Sequence, residues 1–171
     1  AFSEHHFLDD GAYFIAKILV TLSNLRRQGR TLTDLIADYE PPLEEGDVRL
    51  DFVCEDWRGL AERIITRLCG MAERMLKVSQ DNYEGVRAYV SHAKGYFIVR
   101  TSVHDPVLPI YIESDKVGGV ASVARLLLSF LGGFSGLDCS PLEAFIAERT
   151  SAGADGEDGG ITDEAVDAQT E

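Results

Sequence analysis

Hydrophobic residues recur at helical spacing in several stretches of the chain, and this pattern predicts helices. The first helix begins after Asp9 and Asp10, either of which can cap it, and ends near Gly29. A second, short helix begins at Thr31, which has the spacing of a capping box with Asp34, and two prolines end it at 41–42. Further helices are predicted at about 55–77 and 116–131, and a short one after Pro141.

Short apolar runs bounded by turn residues predict strands in the second part of the chain. The predicted strands cover 48–53, 86–90, 96–99 and 107–112. The order of elements after residue 44 is therefore strand, helix, three strands and helix. This order predicts an α+β fold in which a four-stranded antiparallel sheet is covered by two helices.

The pattern divides the chain into three parts. Residues 1–43 hold two helices with an apolar face and no earlier segment to pack on, so we expect the helical end of a truncated α/β domain. Residues 44–147 form the domain that contains the sheet. Residues 148–171 are expected to form an acidic, disordered tail, because from Ser151 onward the chain has little apolar surface to bury.

The charge of the chain argues against two classes of partner. The formal net charge is -13 at pH 7, and the segment from Ser151 to Glu171 carries seven acidic residues and no basic ones. We therefore expect no nucleic acid and no anionic membrane among the partners. A phosphate site in such a chain must be a local basic pocket.

Cysteines and apolar runs also limit the class of protein. Cys54, Cys69 and Cys139 are odd in number, widely spaced and without zinc-ligand spacing, which predicts three reduced thiols. The apolar runs are too short to cross a membrane, and no signal peptide is visible, so we expect a cytoplasmic or plastid protein that is not secreted. Because there is no initiator Met, we also expect a fragment of a longer chain.

One polar loop, between the strands predicted at 96–99 and 107–112, carries the candidate chemistry. Arg100, Thr101, Ser102 and His104 lie within this loop, and Pro106 stiffens its exit. An arginine can bind a dianionic phosphate bidentately, while hydroxyls and backbone N–H groups fill the remaining lone pairs. The loop alone fits a phosphate site and a simple ion pair between Arg100 and a surface carboxylate equally well.

The loop resembles that of the α-D-phosphohexomutases, the phosphomannomutases and phosphoglucomutases. Arg100, Ser102 and Pro106 match the Arg-x-Ser-x-x-x-Pro loop with which the carboxy-terminal domain of this family grips the substrate's phosphate. Val103 and His104 resemble a branch of the family in which a hydrophobic residue precedes His-Asp-Pro. The order of the flanking elements agrees, and so does the run Asn-Tyr-Glu-Gly-Val-Arg at 82–87. The resemblance implies a TBP-like carboxy-terminal domain.

The amino-terminal part resembles the same family. Residues 4–13 are similar to the segment just after its sugar-reading motif in the third domain. One alignment places Ser3 and His5 on that motif; we favour the other, which is anchored at 7–13 and places the motif before residue 1. The family's phosphoserine loop and its Asp-rich magnesium loop do not occur in the sequence. The resemblance therefore implies the end of the third domain followed by the fourth.

From the resemblance we expect Arg100, Ser102, the backbone N–H of Val103, and His104 to bind the phosphate of a hexose phosphate. No catalytic residue and no metal ligand is implied in this chain. The full-length parent would be an isomerase that transfers a phosphoryl group between C1 and C6 through a hexose 1,6-bisphosphate. Its Mg²⁺ would be held by the missing amino-terminal domains, so the fragment alone would be inactive. The alternative is a non-catalytic sugar-phosphate-binding or interaction module.

Other polar and aromatic residues are expected to have structural roles. The arginines of the helix at 55–77 alternate with acidic residues, which predicts a solvated face. Trp57 is expected in the core, and Tyr111 is expected to pack on the sheet. Arg87 and Lys94 could either add positive field near the loop or merely solvate the sheet. In the loop itself, Ser102 could equally stabilise the turn.

Overall fold

The structure is a computed structural model that describes residues 3–6, 10–79 and 85–154. It has a mixed α+β architecture with four α-helices and five antiparallel strands in this described part. The chain divides into two compact units, Ala1–Pro41 and Pro42–Glu171. The predictions for 7–9, for the turn at 80–84 and for the tail at 155–171 lie outside the described residues.

The first unit contains one long helix and two short ones. Helix α1, Gly11–Arg27, begins where the Asp10 carboxylate accepts a hydrogen bond from Tyr13 N at 3.0 Å, which satisfies one of the free N–H groups of its first turn. The capping interaction predicted at Thr31 is present, since Thr31 N donates to Asp34 Oδ2 at 2.7 Å. The second, short helix that we predicted here is a 3-10 helix, Thr33–Ile36. Another 3-10 helix spans Ser3–His5.

The second unit is built on one sheet. Its strands are β1 Glu44–Asp51, β2 Lys77–Val78, β3 Gly85–Val90, β4 Gly95–Arg100 and β5 Val107–Ser114. Their order in the sheet is β1-β5-β4-β3-β2, and all neighbours are antiparallel.

The expected number of four strands was wrong because the chain forms a short edge strand where we predicted the last turn of a helix. Leu76 adopts an extended conformation, with φ -131° and ψ 175°, and so ends the helix before Lys77. Lys77 and Val78 then pair with Tyr89 and Ala88 of β3. Two residues are too few to produce a visible alternation in the sequence.

Three helices accompany the sheet in this unit: α2 Trp57–Met75, α3 Gly119–Leu131 and α4 Ser140–Ala154. Alternate residues of the strands are buried with apolar residues of α2 and α3 in one core. The side chain of Phe145 in α4 lies against Gly46 of β1, on the same face of the sheet. The largest buried side chains on that face are Leu50, Ile64, Leu68, Phe97, Leu108, Ile110, Ile112, Leu127 and Leu131.

Helix α4 is longer than the sequence indicated. It continues to Ala154, so residues 148–154, which we expected in the disordered tail, are helical. Arg125 of α3 donates a hydrogen bond to Thr150 Oγ1 at 2.6 Å, and Thr150 Oγ1 in turn donates to Ile146 O at 2.7 Å. These bonds join the last turns of α4 to the neighbouring helix.

A buried serine links β5, the β3–β4 turn and the start of α3. Ser114 is only 1% exposed; its hydroxyl donates to Ala93 O at 2.6 Å and accepts from Lys116 N at 3.0 Å. A Cβ atom at Gly119 would collide with Ser114 Oγ and approach Ala93 O, so only glycine fits there. Glu44 of β1 completes the junction by accepting bonds from Gly118 N at 2.7 Å and Val120 N at 3.0 Å.

We expect Ser114→Ala to destabilise the protein by about 1–3 kcal/mol, because it leaves a buried carbonyl and a backbone N–H without their partner. The measurement is urea unfolding followed by circular dichroism. Ser129→Ala is the matched control, since Ser129 is exposed and bonds only to Leu126 O within α3. Equal midpoints for the two variants would contradict the role assigned to Ser114.

Candidate phosphate-binding loop

The candidate loop, residues 101–106, connects the end of β4 to the start of β5. Arg100 is the last residue of β4 and pairs with Gly85 of β3. Gly85 has φ +157°, and a Cβ atom there would collide with Val99 O and the Arg100 backbone. The glycine therefore lets β3 approach β4 closely at the position from which the Arg100 side chain leaves the sheet.

Backbone and side-chain hydrogen bonds fix the loop. Ser102 Oγ accepts a bond from Asp105 N at 3.1 Å, and Val107 N donates to Asp105 O at 2.8 Å. Pro106 O accepts from Phe52 N at 2.9 Å, which joins the loop to the segment after β1. The turn-stabilising role considered for Ser102 is thus present, and its hydroxyl proton is still available as a donor.

Arg100 is exposed, and no carboxylate among the described residues lies within ion-pair distance of it. This removes, for that part of the chain, the surface ion pair that the sequence left open. Side chains alternate along β4, so Arg100 has the same parity as Tyr96 and Ile98, opposite to the buried Phe97 and Val99. Its guanidinium is available to a ligand at the end of the sheet.

A pocket of about 210 Å³ lies between the loop and the first turns of α2. Ser102 and Val103 are the two predicted site residues that line it, and Thr101 joins them, with its side chain on the helix side of the sheet. The α2 residues that line it are Trp57, Arg58, Ala61 and Glu62. The hydroxyls of Thr101 and Ser102 thus line the same pocket as the guanidinium of Arg58 and the carboxylate of Glu62.

Two of the predicted residues, Val103 at the rim of the pocket and His104, are exposed. Val103 is 74% exposed, so its side chain covers nothing and its backbone N–H is the only polar donor it can offer. His104 is exposed, and within the described ranges no hydrogen-bond partner holds its ring. Lys94 lies at the far end of β4, about 20 Å of strand away from Arg100 at 3.3–3.4 Å per residue, so it does not add to the field at the loop.

The sequence did not indicate Arg58. Its guanidinium carbon lies 4.1 Å from the centroid of the Trp57 ring, which is a cation–π stack. Trp57 in turn lies 6.1 Å from the buried ring of Phe52. Arg58 is exposed, as helical periodicity predicted, and its guanidinium lies against the Trp57 ring beside the loop.

No protein-family model and no curated protein matches this chain. Within 3–6, 10–79 and 85–154, no three His, Cys, Asp or Glu side chains are grouped as metal ligands would be. In the same residues, no helix is long and apolar enough to cross a membrane.

The sheet face that bears Arg100 also carries a cluster of tyrosines and carboxylates. The Tyr111 hydroxyl lies 3.0 Å from Glu45 Oε2 and 3.0 Å from Glu113 Oε2 and can donate to either. Burial, followed by these two hydrogen bonds, raises the pKa of Tyr111 well above its ordinary value. The guanidinium carbon of Arg87 lies 4.3 Å from the centroid of the Tyr96 ring. Along β4, Tyr96 and Arg100 lie on opposite sides of Ile98, the residue with which Arg87 pairs.

The raised pKa of Tyr111 predicts a loss of stability in alkaline solution. The unfolded chain releases the tyrosine proton near pH 10, before the folded chain does, so ionisation favours unfolding as the pH rises above 10. Below pH 10 the contribution of the protonated Tyr111 hydroxyl to the free energy of unfolding is fully present. Unfolding midpoints measured from pH 8 to pH 11 should therefore fall more steeply for the native protein than for Tyr111→Phe. Parallel curves for the two proteins would contradict this account.

Proposed function

We propose that the loop at 101–106, together with Arg100, binds the phosphate of a hexose phosphate, and that the chain is the carboxy-terminal part of a phosphohexomutase. The observation that carries this proposal is the exposed Arg100 guanidinium, which has no carboxylate partner among the described residues, at the entrance of a loop fixed by Ser102 and Pro106. The resemblance of this loop to the family's phosphate loop supplies the substrate class.

Each predicted residue contributes a different donor. Arg100 can present two parallel N–H groups to two phosphate oxygens. Ser102 offers its hydroxyl proton while it accepts from Asp105 N. Val103 offers its backbone N–H, and the exposed ring of His104 can donate from either nitrogen. These groups recognise phosphate, so they would accept glucose, mannose and other hexose phosphates alike.

In the proposed parent, this loop positions a substrate and does not transfer the phosphoryl group. That transfer needs a phosphoserine and Mg²⁺ held against the sugar by the amino-terminal domains, with hexose 1,6-bisphosphate as intermediate and activator. The 171-residue chain alone should bind a phosphate ester and convert nothing. In the alternative function, the chain binds the same phosphate ester but belongs to no enzyme and acts as a sugar-phosphate-binding module.

An assay of the isolated chain tests the proposal that catalysis belongs to the amino-terminal domains of the parent. With glucose 1-phosphate, Mg²⁺ and a catalytic amount of glucose 1,6-bisphosphate, we expect no glucose 6-phosphate above background. Conversion that scales with the concentration of the chain would refute the assignment of catalysis to other domains. Activity of a longer chain that contains this one would separate the parent enzyme from a binding module.

Substitution of Arg100 tests the binding proposal directly. Loss of a charge-assisted bond costs about 1.5–3 kcal/mol, so Arg100→Ala should weaken binding of glucose 1-phosphate roughly ten- to a hundredfold. Arg100→Lys should restore binding only in part, because an ammonium cannot present two parallel donors. NMR titration of backbone amides measures the affinity.

The control for Arg100 is Arg49→Ala, which removes another exposed guanidinium from the same sheet face. Arg49 lies 3.9 Å from Asp47 and sits on β1, which β5 separates from β4. Its loss should leave the affinity unchanged. If Arg100→Ala folds normally and binds as tightly as the native chain, the loop is not the phosphate site.

A further inference from the structure

We propose that Arg58 is a second phosphate-binding residue, which faces the hydroxyls of the loop across the pocket between α2 and 101–106. This inference rests on the proposed function, because it concerns the same phosphate. It adds a guanidinium that the loop sequence does not contain. In this proposal the phosphate lies in the pocket that Arg58, Thr101 and Ser102 line, and Arg100, which is not a lining residue, reaches it from the end of β4.

The stack on Trp57 leaves the Arg58 donors available. The guanidinium carbon of Arg58 lies 4.1 Å from the ring centroid, and a guanidinium that stacks on a ring by its face keeps the N–H groups of its edge for other acceptors. Within the described part of the chain, no carboxylate lies within 4.0 Å of these groups. Arg58 therefore lies against an aromatic ring without a competing anion among the described residues.

Neighbouring charges of α2 have other partners or other uses. Asp56 accepts a bond from Gly59 N at 3.1 Å and lies 3.6 Å from Arg63, so it caps the helix and is paired with a different arginine. Glu62 lies one turn after Arg58 and would ordinarily pair with it. Arg58 stacks on Trp57 and forms no ion pair with Glu62, which lines the pocket without a cationic partner among the described residues.

The carboxylate of Glu62 narrows the class of ligand. It repels phosphate oxygens but accepts hydrogen bonds from hydroxyl groups. A pocket of about 210 Å³ that holds one guanidinium, two hydroxyls and one carboxylate suits a phosphate ester with hydroxyls on its carbon skeleton better than inorganic phosphate. Arg58 then binds the phosphate, and Glu62 accepts from a hydroxyl of the ester.

The experiment measures binding of glucose 1-phosphate, inorganic phosphate and glucose by NMR in the 171-residue chain and its variants. Trp57 is the only tryptophan, so its single indole N–H signal reports the pocket beside the backbone amides of the loop. We expect the indole signal to shift with glucose 1-phosphate, less with inorganic phosphate and not with glucose. Arg58→Gln should weaken binding of glucose 1-phosphate at least tenfold, and Arg58→Lys should recover part of the loss.

Two controls separate this role from general effects of charge or stacking. Arg67→Gln removes another arginine of α2 that stacks on a ring, Phe134 at 5.6 Å, and should leave the affinity unchanged. Glu62→Gln should strengthen binding of inorganic phosphate and so reduce the preference for the ester. These variants alter exposed side chains, and their unfolding midpoints identify any that fail to fold.

Three outcomes would overturn the inference. Native affinity in Arg58→Gln together with weak binding in Arg100→Ala would refute the role of Arg58 and leave the proposed function standing. Loss of binding in Arg87→Gln, but not in Arg58→Gln, would place the phosphate in the other basic pocket, which Lys77, Arg87 and Tyr96 line on the sheet. Absence of any shift with glucose 1-phosphate would refute both the inference and the proposed function.

Discussion

One-sided packing of the sheet determines where the candidate site can form. Within the second unit the helices cover one face, so side chains of opposite parity along β4 have opposite surroundings. Phe97 and Val99 enter the core, Arg100 leaves on the other face, and Thr101 turns toward α2. A ligand at the end of β4 can therefore contact both this end of the sheet and the first turns of α2.

The sequence predicted those elements of the fold whose hydrophobic pattern spans several turns or several strand residues. The stripe that begins at Trp57 and the apolar runs beside Arg100 were placed correctly within a few residues. Strand β2 was missed because its two residues carry no period and depend on pairing with β3. The end of α4 was missed because the bond between Arg125 and Thr150 joins residues 25 positions apart.

The candidate site was predictable only where its residues are neighbours in the sequence. Arg100 and Ser102 are two positions apart, and their types fit a phosphate site or a surface ion pair equally well without knowledge of the fold; the resemblance to the family's loop favours phosphate. Arg58 lies 42 positions earlier, in a helix whose exposed arginines all give the same pattern. Only the packing of the loop beside the first turn of α2 distinguishes Arg58 from Arg67. In the sequence, Arg58 differs from Arg67 in that a tryptophan directly precedes it.

A phosphate site on so acidic a chain must depend on contacts of short range. At physiological ionic strength, charges separated by more than about 8 Å are largely screened. The net charge of -13 therefore weakens long-range attraction of an anion but would act little on a phosphate in the proposed site beside Arg100 and Arg58. Donors at this distance would contact the phosphate and the nearest hydroxyl. Selection among hexoses would then have to come from groups outside the loop, because the configuration of more distant hydroxyls lies beyond the reach of these donors.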